Sequence, residues 1–275
     1  MVTSRSAMLA FAFAGLAIGA LGIQGDSIAV RRESISQHAG TVQLDLFYES
    51  MCPYCHMFIN DTLKDLWQDT EMRALVDLRL HPAGNLQALD ARSVSKGYFF
   101  WHPERKSDKY IYLCQHGESE CLGNLIHMCA KKVLSADTHM SLLFCMAKNT
   151  ESVPEKSSFA CMQELSIEPT PVKDCVFSPS ANEEMMDIVQ ADAELDPPRK
   201  YVPWVVVNGK HIEIEHGKAE LRKAICDALA AKGETPAACK SGGPTALAAL
   251  ARLEGGEGQA APRAGVCHPG RVMSA

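Results

Sequence analysis

A Cys-x-x-Cys motif at a predicted strand-to-helix junction constrains this chain more than any other feature. Cys52-Pro53-Tyr54-Cys55 follows an apolar strand-like run, 41–48, and opens a helix-like run, 57–67. A thiol at the start of a helix meets the positive end of the helix dipole, which favours the nucleophilic thiolate. We therefore predict that Cys52 is the exposed nucleophile and that Cys55, one turn later and better shielded, is the resolving thiol. Half of a zinc site and a structural clip are alternatives, but no second such motif or suitably spaced histidine pair follows.

The N-terminal segment predicts entry into the secretory pathway. Arg5 precedes an apolar run, 8–23, and Ala20-Leu21-Gly22 is a plausible cleavage site, so residues 1–22 have the pattern of a signal peptide. A membrane anchor is the alternative, but the run is short for a bilayer-spanning helix. Eleven cysteines fit an oxidising compartment. We expect a secreted or luminal protein with no membrane attachment after cleavage.

Charge and composition narrow the partners. The net charge is -6, the pI is about 5.9 and no basic cluster occurs, so nucleic acid is an unsuitable partner. From Lys232 onward the composition shifts to Ala, Gly and Pro, and residues 240–275 are predicted to be a flexible tail. The sequence predicts no cofactor and no resident metal.

The remaining pattern predicts one α/β domain over residues 41–239. Apolar residues alternate along the first strand, and a second strand is expected at 75–80, which completes a β-α-β unit. Two β-rich runs within 201–214 flank Asn208-Gly209, a strong hairpin signal. An amphipathic helix is expected at 218–230.

This order, with Cys-x-x-Cys after the first strand, resembles the thioredoxin fold. In that fold a cis proline before the third strand faces the active-site disulfide, and Val202-Pro203 occupies the matching place. The resemblance implies that Val202 and Pro203 bind an extended substrate segment. An ordinary trans proline at a strand start is the alternative. The mostly helical insertion expected at 97–195, with a capping box at Ser152 and Glu155, resembles the layout of the periplasmic DsbA oxidoreductases.

The insertion contains a more specific motif. Residues 114–129 read CQHGESECLGNLIHMC, which looks like the signature of the gamma-interferon-inducible lysosomal thiol reductase family. The resemblance extends from about residue 43 to residue 239. It implies reduction of disulfides in protein substrates within acidic endosomes or lysosomes, with Cys52 and Cys55 as the active pair and an unidentified thiol as electron donor.

The signature residues themselves are given mainly structural roles. We expect His116 to be structural because no acid/base partner is visible, although it could tune the site. Asn124 is expected to make local hydrogen bonds within a helix, and Glu120 to lie in the first turn of that helix. A zinc site is an alternative, but an oxidising compartment favours disulfides. That zinc site would use His116 with Cys114, Cys121 and Cys129.

The other cysteines are expected to form structural bridges. Cys226 and Cys239 are predicted to tie the last helix to the segment after it. Six more leave three bridges inside the insertion, and the sequence does not choose among their fifteen pairings. These six are Cys114, Cys121, Cys129, Cys145, Cys161 and Cys175. Cys267 remains unassigned in the tail.

Two further residues near the motif are candidates. Asn60 begins the sequon Asn60-Asp61-Thr62 and is a candidate glycosylation site, although the sequon can be unused. His56 either adds positive charge near the thiols at acid pH or simply faces solvent.

Three functional hypotheses stay open. The first is a lysosomal-type thiol reductase, and the second is a thiol oxidase or disulfide isomerase of the secretory pathway. The third is a non-enzymatic, disulfide-stapled secreted protein, which the presence of both Cys52 and Cys55 disfavours. The reduction potential of this pair would separate the three.

Overall fold

A central four-stranded sheet carries the site. The computed structural model describes residues 40–93, 109–214 and 217–240. Its strands are β1 Val42–Tyr48, β2 Val76–Pro82, β5 Trp204–Val207 and β6 Lys210–Ile212. The strand order is β2-β1-β5-β6, with β1 parallel to β2 and antiparallel to β5, and with β6 antiparallel to β5. This is the topology of the thioredoxin fold, so the predicted fold class is confirmed.

The period-two pattern of β1 explains its central place. Val42, Leu44 and Leu46 are buried in the main core, whereas Phe47 points to the other face and packs with Trp204. Because both faces are covered, β1 is buried along almost its whole length.

The predicted hairpin joins β5 to β6. Asn208 and Gly209 have φ values of 47° and 79°, the positive values that a two-residue hairpin turn requires. The Oδ1 atom of Asn208 also accepts a hydrogen bond from the backbone N–H of Gln43, at 3.0 Å. The turn is therefore fastened to β1 as well as closing its own hairpin.

A helical segment follows the motif and covers one face of the sheet. It comprises α1 Pro53–Met57, a π-helical stretch Phe58–Leu63, α2 Lys64–Gln68 and α3 Thr70–Arg73. Pro53 takes the first helical position, where its missing N–H costs nothing, so the helix begins earlier than the predicted residue 57. The last long helix, α9 Lys218–Ala230, adds Leu221, Ile225 and Leu229 to the same core. A short helix, α10 Ala237–Lys240, follows it.

The chain between β2 and β5 forms a second apolar core around Leu125, Leu142, Met162 and Met185. It contains a β-hairpin, β3 Gln87–Asp90 and β4 Tyr110–Leu113, which the sequence analysis missed. Five helices follow, α4 Glu118–Val133, α5 Ala136–Lys148, α6 Pro154–Glu164, α7 Thr170–Val176 and α8 Pro179–Ala193. Each missed strand has only four residues, which is too short for a clear alternation of apolar and polar side chains.

Four disulfides join pairs of cysteines within the described residues. Three lie between β2 and β5 and join Cys114 to Cys121, Cys129 to Cys175 and Cys145 to Cys161. The fourth joins Cys226 in α9 to Cys239 in α10. The bridges connect α4 to α7 and α5 to α6, pairings that depend on how the helices pack and not on sequence spacing.

One local prediction is wrong. The expected capping box does not form, because α6 begins at Pro154 and its N-cap is Val153, with no side-chain capping bond. Proline at the first helical position starts the helix one residue later than Ser152 would.

Several predicted segments lie outside the described residues: the signal peptide, the tail after residue 240 with Cys267, and the first part of the predicted insertion, 97–108. Within the described ranges, no helix combines the length and the apolar character needed to cross a bilayer.

Candidate active site

The Cys-x-x-Cys motif lies at the connection between β1 and α1. Cys52 is the N-cap residue of α1, and its carbonyl oxygen accepts a hydrogen bond from the backbone N–H of His56, at 3.1 Å. The sulfur-bearing residue therefore lies at the positive end of the helix. Between the motif cysteines, Pro53 and Tyr54 are exposed.

The expectation that Cys52 is exposed is wrong. The side chains of Cys52 and Cys55 are both 0% exposed. The reason is packing, because both residues belong to the main apolar core together with Tyr48 and Val202. Burial alone therefore does not tell the nucleophile from the resolving thiol.

Cys55 is a free thiol in a buried, electronegative environment. The backbone N–H of Glu49 donates to its Sγ atom at 3.5 Å. Burial raises the pKa of the Cys55 thiol well above its ordinary value, and the negative charges of Glu49 and Glu120 raise it further. Arg199 and the Glu49 amide oppose these effects only in part. Cys55 is thus a protonated thiol that must lose its proton before it can attack a disulfide.

Val202 and Pro203 lie at the same end of the sheet as the motif. The Val202–Pro203 peptide bond is cis, and Val202 is buried. Phe47 of β1 is opposite Trp204 of β5, so Pro203 lies at the end of the sheet where β1 runs toward Cys52.

The signature segment is bonded to the loop between β1 and the motif. The Oδ1 atom of Asn124 accepts a hydrogen bond from the backbone N–H of Ser50, at 2.9 Å, and the Ser50 hydroxyl donates to the Glu120 carbonyl oxygen at 3.0 Å. A Cβ atom on Gly123 would lie 2.4 Å from Ser50 Oγ, so only glycine allows this close approach. The expectation of local hydrogen bonds for Asn124 is wrong, because its oxygen bonds a residue 74 positions away.

Two buried carboxyl groups meet a histidine beside this loop. Glu49 and Glu120 are 0% and 1% exposed. Nδ1 of His116 is hydrogen-bonded to the Glu120 carboxyl group and lies 3.8 Å from Oε2 of Glu49. Oε1 of Glu49 accepts a hydrogen bond from the backbone N–H of Asn85, at 2.6 Å. We call Glu49, Glu120 and His116 the carboxyl–histidine cluster.

The environment of the cluster favours protonated carboxyl groups. Burial raises the pKa of Glu49 to about 7, with a further contribution from the negative charge of Glu120. Burial also raises the pKa of Glu120, although its bonds to His116 oppose the shift. The expectation that His116 has no acid/base partner is therefore wrong. Glu120 is the third residue of α4 and His116 precedes the N-cap, Gly117, so a first-turn carboxyl group that reaches back to the chain before the helix was a usable signal.

Arg199, which has no local sequence signal, supports the cluster from a distance. Its guanidinium group donates to both carboxylate oxygens of Asp192, to Oδ1 of Asn85 at 2.8 Å and to the Gly84 carbonyl oxygen. A Cβ atom on Gly84 would lie 2.2 Å from Cγ of Glu49, so the turn that Arg199 holds packs directly on the Glu49 side chain. Gln115 of the signature fastens the same turn by accepting from Asn85 Nδ2, at 2.7 Å.

The structure also bears on the zinc alternative. Cys114, Cys121 and Cys129 are all in disulfides, so they are not thiolate ligands here. The carboxyl–histidine cluster offers three oxygen or nitrogen atoms within 4.8 Å of one another, a spacing that a cation could also use.

His56 and Asn60 occupy the helical segment after the motif. Nε2 of His56 lies 2.7 Å from the Ser50 carbonyl oxygen, and burial lowers the pKa of this histidine. The alternative in which His56 simply faces solvent is therefore wrong. Asn60 is half-buried in the π-helical stretch.

A pair of cysteines at the start of the first helix of a thioredoxin fold, beside a cis proline, defines a thiol–disulfide oxidoreductase. Comparison with known proteins makes the assignment more specific. The family model described as "Gamma interferon inducible lysosomal thiol reductase (GILT)" matches residues 43–165. The chain belongs to this family of thiol reductases.

Two curated relatives support the same assignment. The gamma-interferon-inducible lysosomal thiol reductase of Carassius auratus is 30% identical over 217 residues, which are 78% of each chain. The Mus musculus protein of the same name is 29% identical over 202 residues, 73% of this chain and 72% of its own. Among solved structures, Pseudomonas aeruginosa DsbA has a TM-score of 0.47 at 15% identity, with 73% of this chain and 90% of that chain covered. BdbD from Bacillus subtilis has a TM-score of 0.48 at 16% identity and covers 70% of this chain and 90% of its own.

Proposed function

We propose that this protein reduces disulfide bonds in other proteins, with Cys52 as the nucleophile and Cys55 as the resolving thiol. The observation that carries the proposal is the placement of Cys52 at the N-terminus of α1, with the free thiol of Cys55 buried one turn later. Only the first position receives the stabilisation that a helix N-terminus gives to a thiolate.

The reaction proceeds through a mixed disulfide. The Cys52 thiolate attacks one sulfur of the substrate disulfide, which forms a bond between Cys52 and the substrate and releases the first substrate thiolate. The Cys55 thiolate then attacks the Cys52 sulfur and releases the second substrate thiol. The substrate gains two electrons and two protons, and the protein is left with a Cys52–Cys55 disulfide, which a thiol donor must reduce again.

An acidic endosomal or lysosomal compartment is part of the proposal. A thiol with an ordinary pKa of about 8.5 is only about 0.03% thiolate at pH 5, so the helix N-terminus must lower the pKa of Cys52 for the reaction to proceed. The charges near Cys55 also suit the reaction to acid. With a pKa of about 7, the Glu49 carboxyl group is largely protonated in acid, which removes one of the negative charges that disfavour a thiolate at Cys55.

Substrate binding is assigned to Val202 and Pro203. They adjoin the end of β1 that leads to Cys52, and a backbone beside an active-site cysteine can pair with an extended substrate segment. Residues 1–22 are proposed as a cleaved signal peptide and Asn60 as a glycosylation site, and residues 41–239 as the catalytic domain ahead of a flexible tail. Mass spectrometry of protein from eukaryotic cells tests both the cleavage of residues 1–22 and the glycosylation of Asn60.

The decisive experiment measures reduction of a protein disulfide between about pH 4 and pH 7.5 for the wild type and two serine variants. We expect activity at acid pH and none in Cys52→Ser, because that variant lacks the nucleophile. Cys55→Ser should accumulate a covalent mixed disulfide that survives denaturation without reductant, whereas Cys52→Ser should not. Equal trapping by both variants would contradict the assignment of the two cysteines, and strong net oxidation of reduced substrate would favour an oxidase.

A further inference from the structure

We propose that the carboxyl–histidine cluster is the acid–base group of the resolving step: it takes the proton from Cys55 and passes it to solvent through His116. This inference rests on the proposed roles of Cys52 and Cys55. It assigns a chemical task to His116 and Glu120, which were expected to be structural, and to Glu49, which has no motif of its own in the sequence.

Glu49 is placed beside the resolving thiol. Glu49 contacts the reacting thiol directly, because its backbone N–H donates to Cys55 Sγ at 3.5 Å. Its carboxyl group cannot turn away from the interior, because Asn85 donates to one oxygen and Gly84 packs against Cγ. The other oxygen, Oε2, is buried, has no hydrogen-bond partner among the described residues and lies on the side of His116.

His116 connects the buried carboxyl groups to solvent. The exposed fraction of the side chain rises from 0% for Glu49 and 1% for Glu120 to 32% for His116. His116 is hydrogen-bonded to Glu120 through Nδ1, so its ring joins the buried carboxyl groups to the surface. An imidazole that accepts a proton on one nitrogen and releases one from the other is suited to this transfer.

The charge of the two carboxyl groups allows the cluster to accept a proton. Two buried carboxyl groups this close cannot both ionise cheaply, so the pair retains one proton over a wide pH range and carries one negative charge. Such a group can accept one further proton. The other charged and titratable groups that face this region are Arg199, whose guanidinium lies behind Asn85, the buried phenol of Tyr48, and His56 in α1.

The proton balance of the step is then complete. The Cys55 S–H bond breaks and its proton moves to the cluster, while the sulfur electron pair forms the bond to Cys52 Sγ. The bond between Cys52 and the substrate sulfur breaks, and the substrate leaves as a thiolate. That thiolate takes a proton from solvent, and the cluster returns its own proton to solvent through His116, so no further reactant is consumed.

The hydrogen bonds of the signature fit this task. Asn124 and the Glu120 carbonyl oxygen hold Ser50, the residue after Glu49, and Gln115 holds Asn85, the residue that donates to the Glu49 carboxyl group. The segment thus fixes both the backbone and the carboxyl group of Glu49 relative to Cys55.

A two-phase assay separates the two chemical steps. Reduced protein is mixed with a symmetrical aromatic disulfide whose thiolate product is coloured, so that attack by Cys52 releases the first thiolate and resolution by Cys55 releases the second. We expect Glu120→Gln to slow the second release by about tenfold or more at pH 5, because a positioned acid–base group contributes about that much or more. Glu49→Gln should slow it above about pH 7, where the Glu49 carboxyl group is ionised, and both variants should flatten its pH dependence. The first release should stay within about twofold, since Cys52 does not use the cluster. Glu118→Gln, an exposed residue of the same helix, is the matched control and should leave both phases unchanged.

The outcomes are distinguishable. If wild type shows no first release, or Cys52→Ser retains it, the proposed function fails. If the first release is normal and Glu49→Gln and Glu120→Gln both leave the second unchanged, only the proton-transfer proposal is overturned. Should either variant fail to fold, wild type still tests the idea, because proton transfer in the resolving step predicts a slower second phase in D₂O, and equal second-phase rates in both solvents would overturn it. Loss of the second phase on treatment with EDTA, with recovery on adding Zn²⁺, would show that the cluster holds a cation instead and would also overturn it.

Discussion

Replacing the buried histidine of α4 should make the protein less sensitive to acid. His127 is 5% exposed, its ring stacks on Tyr48 with centroids 5.7 Å apart, and Nδ1 has no hydrogen-bond partner among the described residues. Burial is the main cause that lowers its pKa, from 6.5 to about 3, and the nearby histidines His139 and His56 add to the effect. The folded protein therefore keeps His127 neutral at any physiological pH.

The difference between the folded-state and unfolded-state pKa of His127 sets the sign and size of its effect on stability. The pKa of His127 is lower in the folded state than in the unfolded state, so its contribution to stability is complete above pH 6.5 and is lost as the pH falls toward 3. Between pH 7 and pH 5 the unfolded chain binds a proton at this position and the folded chain does not. The free energy of unfolding should therefore fall by about 2 kcal/mol over this interval because of His127 alone.

The assay is urea unfolding of wild type, His127→Phe and His127→Gln at pH 7 and pH 5. Phenylalanine keeps an aromatic ring against Tyr48, and glutamine keeps a polar side chain, but neither titrates. The two variants will differ from each other in absolute stability. Both should lose about 2 kcal/mol less than wild type between pH 7 and pH 5. A loss equal to that of wild type in both variants would show that His127 is protonated in the folded state and would refute the reasoning.

Three further changes have defined expected results. Replacing Cys226 and Cys239 by alanine removes a bridge that spans 13 positions, and urea unfolding should show a loss of about 3 kcal/mol in stability. Arg199→Met should cost about 2 kcal/mol, because it leaves the half-buried Asp192 carboxylate and the buried Gly84 carbonyl oxygen without their donor. Urea unfolding of Arg199→Lys, as a control, should show partial recovery. Glu49→Gln should gain stability relative to wild type as the pH rises from 5 to 8, by at most about 3 kcal/mol. The reason is that a folded-state pKa raised to about 7 stabilises wild type in acid, and this stabilisation is lost as the pH rises through 7. A constant difference between the two proteins across this range would argue against the protonated carboxyl group.

The sequence predicted the parts of the fold that rest on local signals. Alternating apolar residues identified β1, and Asn208-Gly209 identified the β5–β6 hairpin because a two-residue turn needs positive φ at both positions. The position of Cys52 at a helix start followed from the change of hydrophobic period on either side of the motif.

Prediction failed where the decisive contact is distant along the chain. The bond between Ser50 and Asn124 has no local sequence signal, and neither does the packing of Gly84 on Glu49. The burial of Cys52 likewise depends on elements from both halves of the chain. By contrast, the contact of Glu120 with His116 could have been inferred from the place of Glu120 in the first turn of α4, directly after the turn that carries His116.

These distant contacts change the view of the insertion. Its first long helix, α4, contacts Ser50 through Glu120, Gly123 and Asn124, so part of the candidate site comes from outside the thioredoxin core. The Cys114–Cys121 bridge closes the turn that carries His116. Reduction of that bridge would free the turn while leaving the motif cysteines in place, because Cys52 and Cys55 are held by the core sheet and α1. The insertion is therefore best understood as the structure that positions Glu49 beside Cys55, and the signature as the set of residues that makes this contact between the two apolar cores.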